Sequence, residues 1–369
     1  MLCLIPVIPL YQSELGVHSE WLVGLAIGCY GLTQAFMQLI MGYLSDHYGR
    51  LKIIRLGLFV FMIGSFIPLF YHHIYAIIAA RFLQGLGAIG AVATAWAQES
   101  LPLNKRPIAM AIIGIGIGLC FMTSFSVGTW VAQQYGLASL MTTIAIMSSL
   151  LWIVSLTYSA QTLPSSQTSV VSRLAFANTI VETIKHKHYR LFFYMVFVLH
   201  MLFASHFCIV PLELQAHNHS LASTYFGVFI LSYVCALPMF RYFKQHLTYS
   251  LPTVLSVCLL IVGYLLFYQD SQWEIFSLIL FFCGFNILEA LLPTWITGHS
   301  KSTSSGVRLG LFYAFQYLGI FVGGLIGGWL LELSDTSTPT NLVLTTYIII
   351  ILLPGLYWLK PQSPSTSVV

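Results

Sequence analysis

Long uninterrupted runs of apolar residues, each about 20 residues in length, follow one another along almost the whole chain. As an α-helix, such a run reaches about 30 Å, the thickness of the hydrocarbon core of a bilayer. Helices are favoured because lipid offers no partner for an unpaired backbone amide. The pattern predicts eleven membrane-spanning helices, at Trp21–Leu44, Ile53–Phe70, Ile74–Trp96, Pro107–Ala132, Leu137–Tyr158, Leu191–Leu212, Thr224–Phe243, Leu251–Phe267, Trp273–Thr297, Leu309–Leu331 and Leu342–Leu359.

Three stretches lie outside this pattern. The apolar segment Met1–Tyr11 would reach only about 17 Å as a helix, so we interpret it as the outer half of a first helix. The polar stretch 159–190 is predicted to be a cytoplasmic linker with an amphipathic helix lying on the membrane. It divides the chain into an N-terminal bundle, 1–158, and a C-terminal bundle, 191–360, and a disordered tail is predicted at 361–369.

The charged residues predict the orientation of the helices. With the loop after Leu44 placed in the cytoplasm and the spans alternating from there, every Lys and Arg except Arg81 lies in a cytoplasmic segment. Seven of the eleven acidic residues lie on the opposite side. Basic residues concentrate in the cytoplasmic loops of membrane proteins. The pattern therefore predicts a multi-pass membrane protein whose C-terminus is cytoplasmic.

Composition narrows the class of protein further. Apolar residue types make up 58% of the 369 residues, more than a soluble domain of this length would bury. The seven cysteines lie in apolar runs without paired spacing, so we expect neither disulfides nor a metal site. The basic residues form no stripe that would indicate a nucleic-acid partner. The sequence shows no nucleophile–base arrangement and no phosphate-binding loop, so we expect no enzymatic activity and no cofactor.

One short loop holds a concentration of charge that is unusual for this chain. Only 7% of the residues are charged, yet GYLSDHYGRLK, at 42–52, contains an Asp, an Arg and a Lys, with a glycine on each side of the Asp. It resembles the signature loop G-x-L-x-D-x-x-G-R-x-K of the major facilitator superfamily, and the matching positions are Gly42, Leu44, Asp46, Gly49, Arg50 and Lys52. The alternative, a solvated loop with positive-inside charges, accounts for Arg50 and Lys52 but not for Asp46 or the glycines.

The resemblance implies an all-α membrane protein with the major facilitator fold. That fold has two six-helix bundles, here about eleven full transmembrane helices plus a truncated first helix. It also implies that the loop latches the two halves together in the outward-open state. Further stretches, including RFLQGLGAIGAV and FNILEALLP, are similar to the YajR-type branch of bacterial inner-membrane transporters. That branch is thought to export compounds in exchange for protons, and we expect a monomer with a small-molecule substrate.

Two further charged residues match the YajR-type pattern near the loop. Glu99 stands where the branch has an acid, and Arg106 follows it. The resemblance implies that both are partners of the latch, and solvated helix-end charges are the alternative. The branch's antiporter signature is not fully kept, because Ser124 and Phe125 replace its Gly-Pro pair. This departure leaves uptake symport or facilitated transport open, and the short first helix leaves open a non-transporting remnant.

Three residues are candidates for proton coupling. Glu289 is the only acid in the middle of a predicted span. An ionised carboxylate there costs roughly 3 kcal/mol or more. This cost favours the protonated form, so Glu289 could take up a proton in one conformation and release it in another. Arg81 is the only base within a span, and with Gln84 it resembles the R-x-x-Q-G motif implicated in proton handling. His200 is a third candidate, as a proton relay. The alternatives are a carboxyl held by a neighbouring helix, an arginine bonded to carbonyls and a packed histidine.

Several polar side chains within the spans are candidates for the wall of a substrate cavity. Tyr30, Gln34 and Gln38 share one helix face at four-residue spacing. Polar side chains in lipid turn towards the interior of a bundle, and hydrogen bonding between helices is the alternative. The predicted cavity residues are Asn286, Tyr30, Gln34, Gln84 and Gln316. The glycines at 319, 323 and 327, with neighbours at 324 and 328, predict a ridge for close helix contact.

Overall fold

The helices follow the predicted spans closely. A computed structural model describes residues 2–102, 105–158, 173–246, 250–269, 271–298 and 305–334, which contain helices and no strand. Within these ranges, nine helical stretches are long and apolar enough to span a membrane, and α10 is a shorter apolar helix. The helices are α1 (Trp21–Tyr48), α2 (Arg50–Phe70), α3 (Ile74–Leu86), α4 (Gly90–Glu99), α5 (Arg106–Tyr135), α6 (Leu137–Thr157), α7 (Arg173–Lys185), α8 (Lys187–Ala216), α9 (Leu221–His246), α10 (Ser250–Phe267), α11 (Glu274–Gly298) and α12 (Ser305–Ser334).

An all-α membrane protein is thereby confirmed, with each of the first ten predicted spans matched by helix. The amphipathic stretch of the predicted linker contains α7. The last predicted span, Leu342–Leu359, and the tail at 361–369 lie outside the described residues.

The N-terminal segment differs from the predicted half-helix. It forms two short 3₁₀ turns, Leu2–Leu4 and Ile8–Tyr11, separated by a turn. Pro6 and Pro9 explain the difference, because a proline cannot donate the backbone hydrogen bond that an α-helix needs and its ring clashes with the preceding turn. The segment is nevertheless packed, since Leu4, Ile5, Val7 and Ile8 are at most 2% exposed.

The predicted span Ile74–Trp96 is also interrupted, because α3 ends at Leu86 and α4 begins at Gly90. The break lies where this segment packs against α2: a Cβ on Gly87 would collide with the Gly57 carbonyl oxygen. Gln38 of α1 then accepts a hydrogen bond from the backbone N–H of Ala91 at 3.0 Å. A side chain from another helix thereby caps the first turn of α4.

The described residues group into two compact units. The first contains the described residues of Met1–Phe226 and Pro293–Ser337, and the second contains the described residues of Gly227–Leu292. In the second unit, α10 and α11 approach closely at two glycines. A Cβ on Gly263 would lie 2.6 Å from the Phe281 backbone nitrogen, and one on Gly284 would lie 2.5 Å from the Ser256 carbonyl oxygen.

In the first unit, α12 packs between α1 and α8. Its glycines divide between the two neighbours. A Cβ on Gly319 or Gly323 would collide with the backbone of α8, at Phe197 and Met201. Gly324 and Gly328 lie against α1 instead. The predicted ridge is therefore a double seam, in which each face of α12 meets the backbone of a different helix.

Candidate functional site

The signature loop is a sharp turn between two helices. α1 ends at Tyr48 and α2 begins at Arg50, so Gly49 alone joins them. Its φ of 95° lies in the region that side chains rarely adopt, which explains why the turn requires glycine. The helices on either side then bring Asp46 and Arg50 together across the turn, with Arg50 Nη2 2.6 Å from Asp46 Oδ1.

Arg50 also binds Glu99 at the end of α4. Its Nε donates to Glu99 Oε2 at 3.1 Å and its Nη2 to Oε1 at 2.7 Å, a two-pronged pairing that is among the stronger kinds of ionic hydrogen bond. Its Nη1 donates to Ser45. The arginine therefore connects α1, α2 and α4 at one end of the first unit.

The other predicted latch residues have fewer contacts. The Lys52 side chain is exposed. Arg106 begins α5, but its side chain lies outside the described residues. At Gly42, a Cβ would meet no described atom within 4 Å. Among the described residues, no other helix comes within 4 Å of that position.

Arg81 is completely buried in the first unit. Its Nε donates to the Ala26 carbonyl at 3.2 Å and its Nη2 to the Ile27 carbonyl at 3.1 Å. Its guanidinium carbon lies 4.8 Å from the centre of the Tyr30 ring. The partners that hold it are carbonyls and an aromatic ring, so the contacts fit the structural alternative, and proton handling by Arg81 stays a prediction.

The polar row on α1 forms a chain of hydrogen bonds. Gln34 Nε2 donates to the Tyr30 hydroxyl at 2.6 Å, and Gln38 Nε2 donates to Gln34 Oε1 at 2.7 Å. All three side chains are buried. On α3, Gln84 donates to Ser65 at 3.0 Å, and its Oε1 is buried without a partner. Tyr30, Gln34, Arg81 and the cap of α4 are thereby joined in one buried polar network.

His200 and Gln316 are brought together between α8 and α12. The Nδ1 of His200 lies 3.0 Å from the Val196 carbonyl, and its Nε2 lies 2.7 Å from Gln316 Nε2. A carbonyl only accepts, so Nδ1 carries the proton and Nε2 accepts from the Gln316 amide. A second proton on Nε2 would require this amide to turn over. The pair is therefore a protonation-sensitive contact between two helices.

Glu289 and Asn286 lie in the second unit, one helical turn apart on α11. Asn286 is buried and donates to the Ser232 hydroxyl of α9 at 3.1 Å. Glu289 is half-buried and lies well inside the helix. Within the first unit, the predicted site residues form three groups: the charged loop, the network around Arg81 and the His200–Gln316 pair.

Phe125 occupies the position where the antiporter signature has proline. It is fully buried, and its ring centre lies 5.0 Å from that of Phe207 and 5.5 Å from that of Tyr225, both nearly perpendicular to it. Phe203 completes the cluster at 6.2 Å. Edge-to-face packing of this kind is a favourable aromatic geometry, and here it joins α5 to α8 and α9.

Comparison with known proteins assigns the family. Residues 1–303 match the sequence profile of the Major Facilitator Superfamily. The chain belongs to that superfamily. Among curated proteins, this superfamily member is similar to the inner membrane transport protein YajR of Escherichia coli K12, with 31% identity over 352 residues, 91% of this chain and 75% of YajR.

Two further relatives of this protein carry names that refer to drug resistance. The multidrug resistance protein MdtH of Blochmanniella floridana is 23% identical, over 89% of this chain and 82% of MdtH. The multi-drug resistance efflux pump PmrA of Streptococcus pneumoniae is 32% identical over 142 residues, 36% of this chain and 34% of PmrA.

Solved structures support the major facilitator fold. The nucleoside transporter NupG aligns with a TM-score of 0.70 at 13% identity, over 98% of this chain and 96% of NupG. The human organic anion transporter MFSD10 aligns with a TM-score of 0.71 at 15% identity, over 97% and 96% of the two chains. The family match and the similarity to YajR identify this protein as a multi-pass membrane transporter of the superfamily.

Sequence reasoning missed several residues at the candidate site of this protein. Ser45, which accepts from Arg50, occupies a variable position of the motif directly before Asp46, and that position was the signal that could have identified it. Ser65 and Ser232, the partners of Gln84 and Asn286, had none, because small hydroxyl residues within apolar spans are common and their partners are distant in sequence. Only the fold reveals such pairs.

Proposed function

We propose that this member of the superfamily exports a small organic molecule in exchange for protons, and that Glu289 carries the proton. The strongest support is that Glu289 is the one acid in the interior of a membrane-spanning helix throughout the described ranges. Its half-buried position, with carboxyl oxygen Oε2 buried, makes a permanent charge costly there. The names of the relatives MdtH and PmrA support export as the direction.

The proposed cycle uses two conformations of the protein. In the outward-facing conformation Glu289 takes up a proton as substrate leaves, and in the inward-facing conformation it releases the proton as substrate binds. Its protonation state biases the equilibrium between the two. His200, through its contact with Gln316, and Arg81, through the charge it holds in the bundle, are proposed to adjust this bias. The cavity wall is proposed to include Tyr30, Gln34, Gln84, Asn286 and Gln316.

The charged loop is proposed to act as the latch of the outward-facing conformation. Arg50 has a half-buried position and two acidic partners, Asp46 and Glu99, which supports a fixed local structure ready to dock. A Cβ on Gly42 would meet no described atom within 4 Å, which supports a disengaged latch in the present conformation. We further propose a monomer in the inner membrane with its C-terminus in the cytoplasm.

The test is proton movement in everted membrane vesicles from a host that lacks its own drug pumps. Respiration acidifies the vesicle interior, and a pH-sensitive acridine dye reports any loss of acidity when ethidium or other small organic compounds are added. Vesicles with the wild-type protein should lose acidity on addition of a transported compound. Glu289→Gln should reduce the signal to the background of vesicles without the protein, because an amide cannot carry the proton.

Two variants serve as controls. Glu289→Asp keeps a titratable carboxyl and should retain part of the signal, whereas Glu182→Gln removes an exposed acid from α7 and should retain all of it. A proton signal in Glu289→Gln equal to that of the wild type would remove Glu289 from the mechanism. A signal that appears only in right-side-out vesicles, as alkalinisation of the medium, would overturn export.

Uptake is the second candidate, and one observation favours it. The antiporter signature's Gly-Pro pair is replaced by Ser124 and Phe125, and the Phe125 ring fills the contact between α5, α8 and α9 with aromatic packing. A kinked helix is therefore not what seals this contact. The two vesicle orientations distinguish uptake from export.

A further inference from the structure

Arg308, near the start of α12, has surroundings unlike those of the other arginines. Its guanidinium carbon lies 4.8 Å from the centre of the Tyr189 ring of α8. Tyr189 is only 7% exposed. The Phe193 ring beyond it stacks on Phe315 at 5.0 Å, with the two planes 4° apart. The guanidinium is thus held on an ordered aromatic base between two helices.

Two nitrogens of Arg308 have no oxygen to donate to. Its Nε and Nη1 are buried, and neither has a hydrogen-bond partner anywhere in the described part of the chain. A ring beneath a guanidinium attracts the charge but supplies no oxygen acceptor. Buried N–H groups of a charged side chain are costly to leave unpaired.

The other arginines with described, inward-lying side chains all have acceptors. Arg50 donates to Glu99, and Arg81 donates to two carbonyls. Arg55 donates to the carbonyls of Ser155 and Tyr158 at the end of α6. Arg81 keeps one buried nitrogen, Nη1, without a partner in the described part of the chain, whereas Arg308 keeps two, Nε and Nη1. A charge together with unpaired donors is what the binding of an anion requires.

We propose that Arg308, seated on Tyr189, is an anion-binding site that takes a phosphate or carboxylate group. The planar guanidinium matches the geometry of both groups, and its hydrogen bonds to them are charge-assisted. Binding would satisfy the buried donors of Arg308 and neutralise its charge at the same time. The site is independent of the proposed direction of transport, because it requires only that the protein be folded.

Two sources supply this chemistry at the position of Arg308. The residue lies at the end of the bundle that the charge distribution predicts to face the cytoplasm, where phospholipid headgroups and soluble anions are both within reach. An anionic lipid would present its phosphate from the bilayer, and a soluble ligand would present a phosphate or carboxylate from the aqueous side. The same guanidinium serves either source, so the experiment separates them.

The experiment measures thermal unfolding of the full chain by its tryptophan fluorescence. In one arm, inorganic phosphate is titrated into protein in a neutral maltoside detergent at constant ionic strength, with chloride as reference. In the other arm, the protein is placed in nanodiscs of phosphatidylcholine with or without phosphatidylglycerol. Each arm compares the wild type with R308Q and with R190Q, which removes an exposed arginine next to Tyr189.

A saturable rise in unfolding temperature with phosphate, or with phosphatidylglycerol, is expected in the wild type and in R190Q. R308Q should weaken the apparent affinity roughly 10- to 100-fold, the size of effect expected for losing a charged hydrogen-bond donor. A response to phosphate identifies a soluble anion, and a response to phosphatidylglycerol alone identifies a lipid. Responses that are absent, or equal in the wild type and R308Q, overturn the site.

R308K keeps the test decisive if R308Q does not yield folded protein. Lysine retains the charge but replaces the planar fork with a point charge, so a severalfold weaker response is expected. An R308K response equal to that of the wild type would show that the planar guanidinium is not what binds, and would overturn the proposal as stated.

Discussion

The two ends of the α1–α12 pair are built in opposite ways. At the end that begins with Trp21, the helices touch backbone to backbone. A Cβ on Gly24 would collide with the Gly324 carbonyl oxygen, and one on Gly28 would lie 2.7 Å from the Phe321 carbonyl oxygen. Towards the other end, a Cβ on Gly310 would meet only the tip of Leu39, at 3.1 Å, and a Cβ on Gly42 would meet no described atom within 4 Å. The pair is closed at one end and open at the other.

The difference teaches how one helix pair can serve two conformations. The closed end depends on shape alone, because glycine surfaces gain van der Waals contact without any directional bond. The open end holds its charges in local pairs around Arg50, which remain satisfied while no partner helix is docked. The charge of Arg50 therefore stays paired whether or not a partner helix is docked at Gly42. Such a pair suits rocking between two conformations.

The largest expected effect comes from filling the closed end. Gly24→Leu places a side chain where the α12 backbone lies, and overpacking of this kind costs about 1–3 kcal/mol. The unfolding temperature of the detergent-solubilised protein should fall by several degrees, and amide exchange should accelerate in residues 21–31. Gly114→Leu is the matched control, because a Cβ there would meet no described atom within 4 Å. Equal losses in both variants would contradict a packed seam.

This glycine seam also shows what could be predicted from sequence. Apolar runs and four-residue glycine spacing are local in the chain, so the spans and the ridge on α12 were both accessible. The break between α3 and α4 was not, because hydropathy is continuous across it and the close approach of Gly87 to Gly57 involves another helix. Gln38, which caps the first turn of α4, was predicted to line a cavity instead, because its partner Ala91 lies on another helix.

The candidate site was predictable to a similar degree. The motif identified Asp46, Arg50 and Glu99 as a group, since short spacing and a family pattern bring them near one another. What each buried polar residue binds depends on helix packing, which no single sequence encodes locally. The sequence could not show that Arg81 donates to two backbone carbonyls. Nor could it identify Arg308 as a candidate site, because no motif surrounds it and only the structure shows that its nitrogens are buried.

A smaller effect is expected from cutting the charge pairs at the open end. Glu99→Gln removes the two-pronged partner of Arg50 and should lower the free energy of unfolding by about 1 kcal/mol. Asp46→Asn, which removes a partner that contacts Arg50 through one oxygen, should cost less. Both losses should shrink at high salt because exposed charges are screened. Chemical denaturation at two salt concentrations measures them.

The control for the charge pairs is Lys52→Gln, which removes an exposed charge of the same loop and should change stability by no more than about 0.5 kcal/mol. A loss in Lys52→Gln as large as that in Glu99→Gln would mean that net charge, rather than the pairing with Arg50, stabilises this end.

The smallest effect on stability is expected at Gly42, where an added side chain has space among the described residues. Gly42→Leu adds a side chain that meets no described atom, so the unfolding free energy of this conformation should change by no more than about 0.5 kcal/mol. If Gly42 receives a helix in the other conformation, as the latch proposal requires, the same side chain obstructs that conformation alone. The protein should then spend more time in the conformation described here, and amide exchange in residues 21–31 should become slower than in the wild type. Unchanged exchange would mean that no helix docks at Gly42, and the open end would then be a permanent feature of the fold.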